Sequence, residues 1–358
     1  MSDYRDFVES IPTDARVSPP LSGDDLLPPV EPPNAGFIIQ LFVVPALIVL
    51  VIVSVWLMLG WLVHHTTMGP EKLIRGLEQG SSVARWQRAS ELADMLRNDR
   101  FIEFRHSEES AASLARILDR EIDGGASGGG MQEGDVTLRL FLARALGEFQ
   151  VNEGIETLLR AATTERDPAE QVVRQHAIQA IAVRAHNLQQ LDPPQELTHP
   201  ELESTLATLA EDEDPQIRLR AAYALGRLGT PASIERLEIM VDDPHANTRY
   251  NAAVALAERG NARAIETLAE MLDLEELAGV PPESNVQDLA FKRALVVTNA
   301  LEGVDALARQ NPSADFTPVV ESLERLVAAD EETLAQAQIL RGVVIEARRM
   351  LKLLPPTE

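Results

Sequence analysis

Histidine is the side chain most often recruited to metals and to proton transfer near neutral pH. This chain has seven: His64, His65, His106, His176, His186, His199 and His245. No His-x-x-x-His pair and no His-Glu-x-x-His occurs, so the helical zinc-site pattern is missing. There is no cysteine, which excludes a disulfide framework and a Cys-ligated zinc or iron–sulfur site. The run Glu211-Asp212-Glu213-Asp214 gathers four carboxylates. A calcium loop, however, needs alternating ligands, a glycine at its sixth place and a glutamate at its twelfth. Pro215 follows instead and a helix begins, so these charges fit a helix N-terminus. The stretch DGGASGGGMQEG, residues 123–134, lacks the Gly-Lys-Ser/Thr that lets a loop hold phosphate, and reads as a flexible connection. No catalytic, cofactor-binding or metal-binding residue is therefore expected, and the chain is not expected to be an enzyme.

Composition narrows the classes further. The 358 residues carry 32 Lys+Arg against 56 Asp+Glu, a net charge of −24, where a nucleic-acid binder would show a basic surplus. With 45% hydrophobic residues the chain is apolar enough to fold.

One segment must lie in a different solvent. Phe37 to Val63 contains no formal charge and is broken only by Gln40, Pro45, Ser54 and Gly60. A helix of this length exceeds the roughly 30 Å hydrocarbon core of a bilayer. Trp56 and Trp61 stand towards its C-terminal end, where indoles settle at the membrane interface. It is too long for the apolar core of a signal peptide and follows an acidic stretch rather than a basic one. Residues 37–63 are read as a single transmembrane helix. The leader 1–36 has Arg5 and Arg16 against seven carboxylates and seven prolines, a composition expected to stay disordered. Lys72, Arg75, Arg85 and Arg88 follow the span, so the positive-inside rule places the N-terminus outside and the rest in the cytoplasm. The expected location is the cell membrane, and the bilayer is the first partner.

The remainder, residues 64–358, repeats itself. Ile217-Arg218, Ala221-Ala222, Ala224-Leu225-Gly226, Gly229 and Ile234-Glu235 with Leu237 form one unit. Thirty-one residues later Arg249, Ala252, Ala253, Ala255, Leu256, Gly260, Ile265, Glu266 and Leu268 occupy the same places. Seventy-nine residues earlier stand Leu138, Arg139, Ala143, Ala145, Leu146, Gly147, Ile155, Glu156 and Leu158, and a weaker copy begins at Val173-Arg174. Each unit reads as two helices. Residues 217, 221, 224, 225 and 228 make a helical stripe. Asp-Pro at 167, 214 and 243 marks the starts, and Gly229 and Gly260 mark ends.

On these residues the units resemble HEAT-like repeats of the short kind found in phycobilisome-lyase-type and related bacterial scaffold proteins. The resemblance is clearest over residues 135–272. It implies an all-α fold, an α-solenoid of stacked helix pairs whose curved surface binds other macromolecules. Flanking helices are expected at 70–79, 82–98, 107–122, 285–309, 315–328 and 331–352, with Pro-rich inserts at 188–199 and 278–285. HEAT-like metal enzymes of the deoxyhypusine hydroxylase kind carry His-Glu ligands, and this sequence has none. The lyase branch implies an alternative, bilin attachment to a carrier protein, but such proteins are generally soluble. A purely structural spacer is the other alternative.

The second helix of each pair lines the concave side in the resembled family. Glu156, Glu235 and Glu266 recur there at equivalent positions, with Arg160, Glu238 and Glu270 nearby. Two readings stay open: a solvated helix face, or a face that favours a basic protein partner.

Overall fold

The computed structural model describes residues 35–66, 69–124, 133–274, 286–328 and 338–354. The leader up to residue 34, the glycine-rich residues 125–132, the insert at 278–285 and residues 331–337 lie outside the described residues. Every regular element among the described residues is helical. The chain divides into two compact units, residues 1–67 and 68–358.

The first unit holds α1 (Ala35–Thr66), which runs through Pro45 without stopping. All side chains from Leu41 to Leu59 are exposed. The helix continues three residues beyond Val63, so His64 and His65 close it and do not open the repeat unit, as the boundary at residue 64 had it.

The second unit contains α2 (Pro70–Leu77), α3 (Ser82–Leu96), a short α4 (Ile102–Arg105), α5 (Glu108–Gly124), α6 (Glu133–Gly147) and α7 (Ile155–Thr163). It continues with α8 (Glu170–Gln189), α9 (Leu202–Leu209), α10 (Pro215–Leu228), α11 (Pro231–Met240), α12 (Ala246–Ala257) and α13 (Ile265–Met271). It ends with α14 (Val286–Gln310), α15 (Thr317–Val327) and α16 (Gln338–Leu351). The helices form two layers. In the first, α3, α6, α8, α10, α12, α14 and α16 each pack on the next. In the second, α2 meets α5, α5 meets α7, α7 meets α9, α9 meets α11, and α13 meets α15. Every second-layer helix also packs on the first-layer helix that follows it. This is an α-solenoid of HEAT-like helix pairs.

The local signals act much as their chemistry requires. In each Asp-Pro pair the aspartate Oδ1 accepts from the backbone N–H two residues on, at 2.8 Å, for Asp167, Asp214 and Asp243 alike. Only Asp214 is itself the N-cap, with Pro215 as the first helical residue. At the other two places the bond closes a preceding turn, and the helices begin later, at Glu170 and Ala246. Gly229 and Gly260 adopt the left-handed conformation, φ 63° and 72°, in which a side chain would be strained. The helical stripe at 217, 221, 224 and 225 is buried. Gln189 still belongs to α8, so the insert read from residue 188 begins two residues later.

Two devices join one repeat to the next. The first is close approach. A Cβ built on Gly147 of α6 would stand 2.7 Å from Cα and Cβ of Ala180 in α8, and one built on Gly226 of α10 would stand 2.6 Å from Cβ of Ala255 in α12. The second is a ladder of arginines at the repeated position. Arg139 pairs with Glu170 at 3.3 Å, both nearly buried. Arg174 reaches Asp212, Glu165 and the Ala162 carbonyl. Arg218 grips Asp243 through Nε at 2.7 Å and Nη2 at 3.0 Å. Arg249 takes Glu270, which also accepts from the Tyr250 hydroxyl. Each pair fixes the register of a junction, because either partner alone would leave a charge short of solvent. Arg184 of α8 is fully buried and donates to the carbonyls of Leu146 and Glu153, capping the end of α6. Burial pushes its pKa down to about 9.

Candidate functional site

The surface of the second layer is built by helices whose buried sides face the first. On α7, Ile155, Leu158 and Leu159 are buried, which leaves Glu156 exposed; on α13, Ile265 and Leu268 are buried and Glu266 is exposed. On α11, Leu237 and Met240 are buried while Glu235 and Ile239 are exposed, Ile239 by 63%. The fourth helix of the set, α9, buries Leu202 and Leu206 and exposes Glu203. Glu156, Glu203, Glu235 and Glu266 thus lie on four second-layer helices in chain order. None of the four has an ion-pair partner among the described residues. Glu156, Glu203 and Glu266 stand second in their helices, where a carboxylate complements the helix dipole.

The other three residues read as members of this face are engaged elsewhere. Arg160 pairs with Asp119 at 3.1 Å and with Asp123. The Glu238 carboxylate accepts from Asn261 at 2.6 Å. Glu270 belongs to the arginine ladder. They shape the repeat junctions, and the available carboxylates are the other set.

Glu203 was not anticipated from the sequence. It borders two openings. One is a cavity of about 460 Å³ under the insert that follows α8, lined by Gln189, Leu197, His199, Glu203, Leu228 and Thr230. The other, about 210 Å³, is a groove between α9 and α11 lined by Glu203, Ala207, Ala232, Glu235, Arg236 and Ile239. The small residues Ala207 and Ala232 leave room for an incoming side chain. Arg236, which also lines the groove, pairs with Glu211 at 2.5 Å. The arrangement suits a cationic side chain with an apolar stem, and no nucleophile–base pair is built into it.

One motif also escaped the sequence reading. Gly125-Ala126-Ser127-Gly128-Gly129 spells Gly-x-Ser-x-Gly. A nucleophile elbow joins a strand to a helix. Here the helix α5 precedes, and residues 125–132 lie outside the described residues.

A family model described as HEAT repeats matches residues 172–246 and again residues 202–280. The matches begin within α8 and end beyond α13, and the HEAT-like packing extends on both sides of them. Two solved structures show a loose likeness. An engineered protein is 16% identical over 79% of this chain and 98% of its own, with a TM-score of 0.33. Human deoxyhypusine hydroxylase in complex with glycerol is 16% identical over 79% of this chain and 96% of its own, with a TM-score of 0.28. Neither likeness is close enough to bring a ligand or an activity across. The search of curated proteins found no match.

Proposed function

We propose that this chain is a single-pass membrane protein whose HEAT-like solenoid holds a basic protein partner without catalysing a reaction. The observation that carries the reading is the set of exposed carboxylates Glu156, Glu203, Glu235 and Glu266, two of which flank a groove with an exposed isoleucine. Exposed carboxylates attract basic surfaces over about a Debye length and speed the encounter. An apolar floor then supplies the short-range part of the affinity.

The reading of an anchor is supported by α1, whose stretch from Leu41 to Leu59 is uncharged and exposed throughout. Lys72 and Arg75 are the first cations after it, and the positive-inside bias assigns the solenoid to the cytoplasmic side of the cell membrane. The test is capture of partners from detergent-solubilised membranes with the full chain. Changing Glu156, Glu235 and Glu266 together to Lys should remove basic proteins from the captured set while helicity by circular dichroism stays the same. An identical captured set would show that these carboxylates only face water.

A further inference from the structure

The first layer carries charge of the other sign. Arg144 of α6, His176 of α8 and Arg220 of α10 are partly exposed residues on three consecutive helices of that layer. The Arg144 guanidinium lies over the Phe141 ring at 5.2 Å, and Phe141 is stacked on Trp86 of α3 at 6.3 Å. Arg220 donates to the Gln175 amide oxygen at 3.3 Å. Seven residues along α10, Arg227 sits over Tyr223 at 5.5 Å. The ladder arginines and Arg184 are tied into junctions, and Arg227 pairs with Glu258 of α12, but no close carboxylate holds Arg144 or Arg220. Neither His176 nor Arg220 has a carboxylate within 4.0 Å among the described residues, and Arg144 only meets the largely exposed Asp94 at 3.9 Å. In a chain with 24 more acidic than basic residues, neighbouring cations would be expected to find carboxylates. Burial, and then the charges of Arg220 and Arg144, hold the His176 pKa below its ordinary value, a sign that positive charge is in local excess.

Nothing in the packing requires this arrangement, because like charges side by side oppose folding. We propose that this first-layer surface docks a carboxylate-rich stretch of a protein partner, with Arg144 and Arg220 taking carboxylates and the Phe141 and Tyr223 rings taking apolar side chains between them. A short segment fits better than a long polyanion. Three neighbouring helices present a surface only about 20 Å across. Beyond roughly 8–10 Å a short segment is screened from the rest of the protein, whereas nucleic acid or an anionic bilayer would meet the net negative charge over its whole length.

The probe is a fluorescein-labelled oligoglutamate peptide with phenylalanines at intervals, titrated by anisotropy against the full chain in neutral detergent. Saturable binding that weakens with salt is expected. It should fall at least about tenfold in Arg144→Gln/Arg220→Gln, since charge-assisted contacts are the strong ones. It should fall as far in His176→Glu, which sets a carboxylate between the two arginines and is compatible with folding because both attract it. The charge-matched control Arg341→Gln/Arg348→Gln, on exposed residues of α16, should bind as the unaltered chain does. Absence of peptide binding would overturn the proposal, as would equal affinity in all variants or an equal loss in the α16 control. Tighter, Arg144- and Arg220-dependent binding of a thymidine oligonucleotide or of phosphatidylglycerol vesicles would overturn the assignment to a protein segment.

Discussion

The repeat junctions make a prediction that separates two closely related contacts. A methyl group added at Gly147 would lie 2.7 Å from Cα and Cβ of Ala180 and 2.9 Å from its carbonyl oxygen. At Gly226 it would lie 2.6 Å from Cβ of Ala255, with the next atom, Cα, at 3.8 Å. Carbon atoms in contact need about 3.5–4.0 Å, so either alanine must push its helix pair apart by about 1 Å. Overpacking of this kind costs about 1–3 kcal/mol, offset by about 0.5 kcal/mol because alanine is the better helix former. Gly147→Ala and Gly226→Ala should therefore each destabilise by about 0.5–2.5 kcal/mol. The rescues should differ. Ala255→Gly removes the one atom that obstructs Gly226→Ala, so the double variant should recover about 1–2 kcal/mol of coupling energy. Ala180→Gly leaves the backbone Cα and oxygen in place, and should hardly rescue Gly147→Ala. Urea denaturation of the four single and two double variants, followed by far-ultraviolet circular dichroism, measures the cycle. A neutral Gly147→Ala, or a rescue by Ala180→Gly as complete as that by Ala255→Gly, would refute the packing argument.

Two further predictions concern charge and topology. Burial alone would raise the Asp243 pKa, but the hydrogen bonds from Arg218 and the His245 N–H, with the charge of Arg218, outweigh it and hold the carboxyl below its ordinary value. A carboxylate depressed in the folded state stabilises above its unfolded pKa, and that stability is lost as pH falls through the folded one. Asp243→Asn should thus cost about 1–3 kcal/mol at pH 7, shrinking over roughly pH 5 to 3; a pH-independent difference in urea melts would remove the ion pair as its cause. For topology, a fluorescent reporter fused after Glu358 should be active and a phosphatase reporter silent, and the reverse pattern would invert the proposed orientation.

The parts of the fold legible in the sequence are those with fixed offsets. Residues at 31 and 79 positions' separation made α6, α7 and α10 to α13 readable, because each unit repeats the same buried stripe. Two helix starts moved because the Asp167 and Asp243 carboxylates close a turn before the helix begins, a choice that the Asp-Pro dipeptide alone does not encode. Glu203 escaped because the insert after α8 breaks the offset, and because Leu206 follows Leu202 by four residues where Leu237 follows Ile234 by three. Arg160, Glu238 and Glu270 were grouped with the exposed acids because periodicity places a residue on a helix but says nothing of the neighbouring element that meets it. The same blindness hid Arg144, His176 and Arg220, which come together only through the lateral order of α6, α8 and α10.

The division of arginines explains more of the chain's charge than the total does. Each junction from α6 to α13 pairs an arginine with an acidic residue further along the chain, in the next unit or its own second helix: Glu170, Asp212, Asp243 or Glu270. Those carboxylates are structural and largely withdrawn from solvent, so they contribute little to an encounter at long range. The exposed acidic character comes from residues such as Glu156, Glu203, Glu235 and Glu266, which have no ion-pair partner among the described residues. Arg144, His176 and Arg220 lie outside those pairs, on the first layer, across α6, α8 and α10. Neither set takes part in the arginine–carboxylate pairs of the junctions. Their separation onto different layers is the feature that packing alone does not account for, and it is what binding on two faces would require.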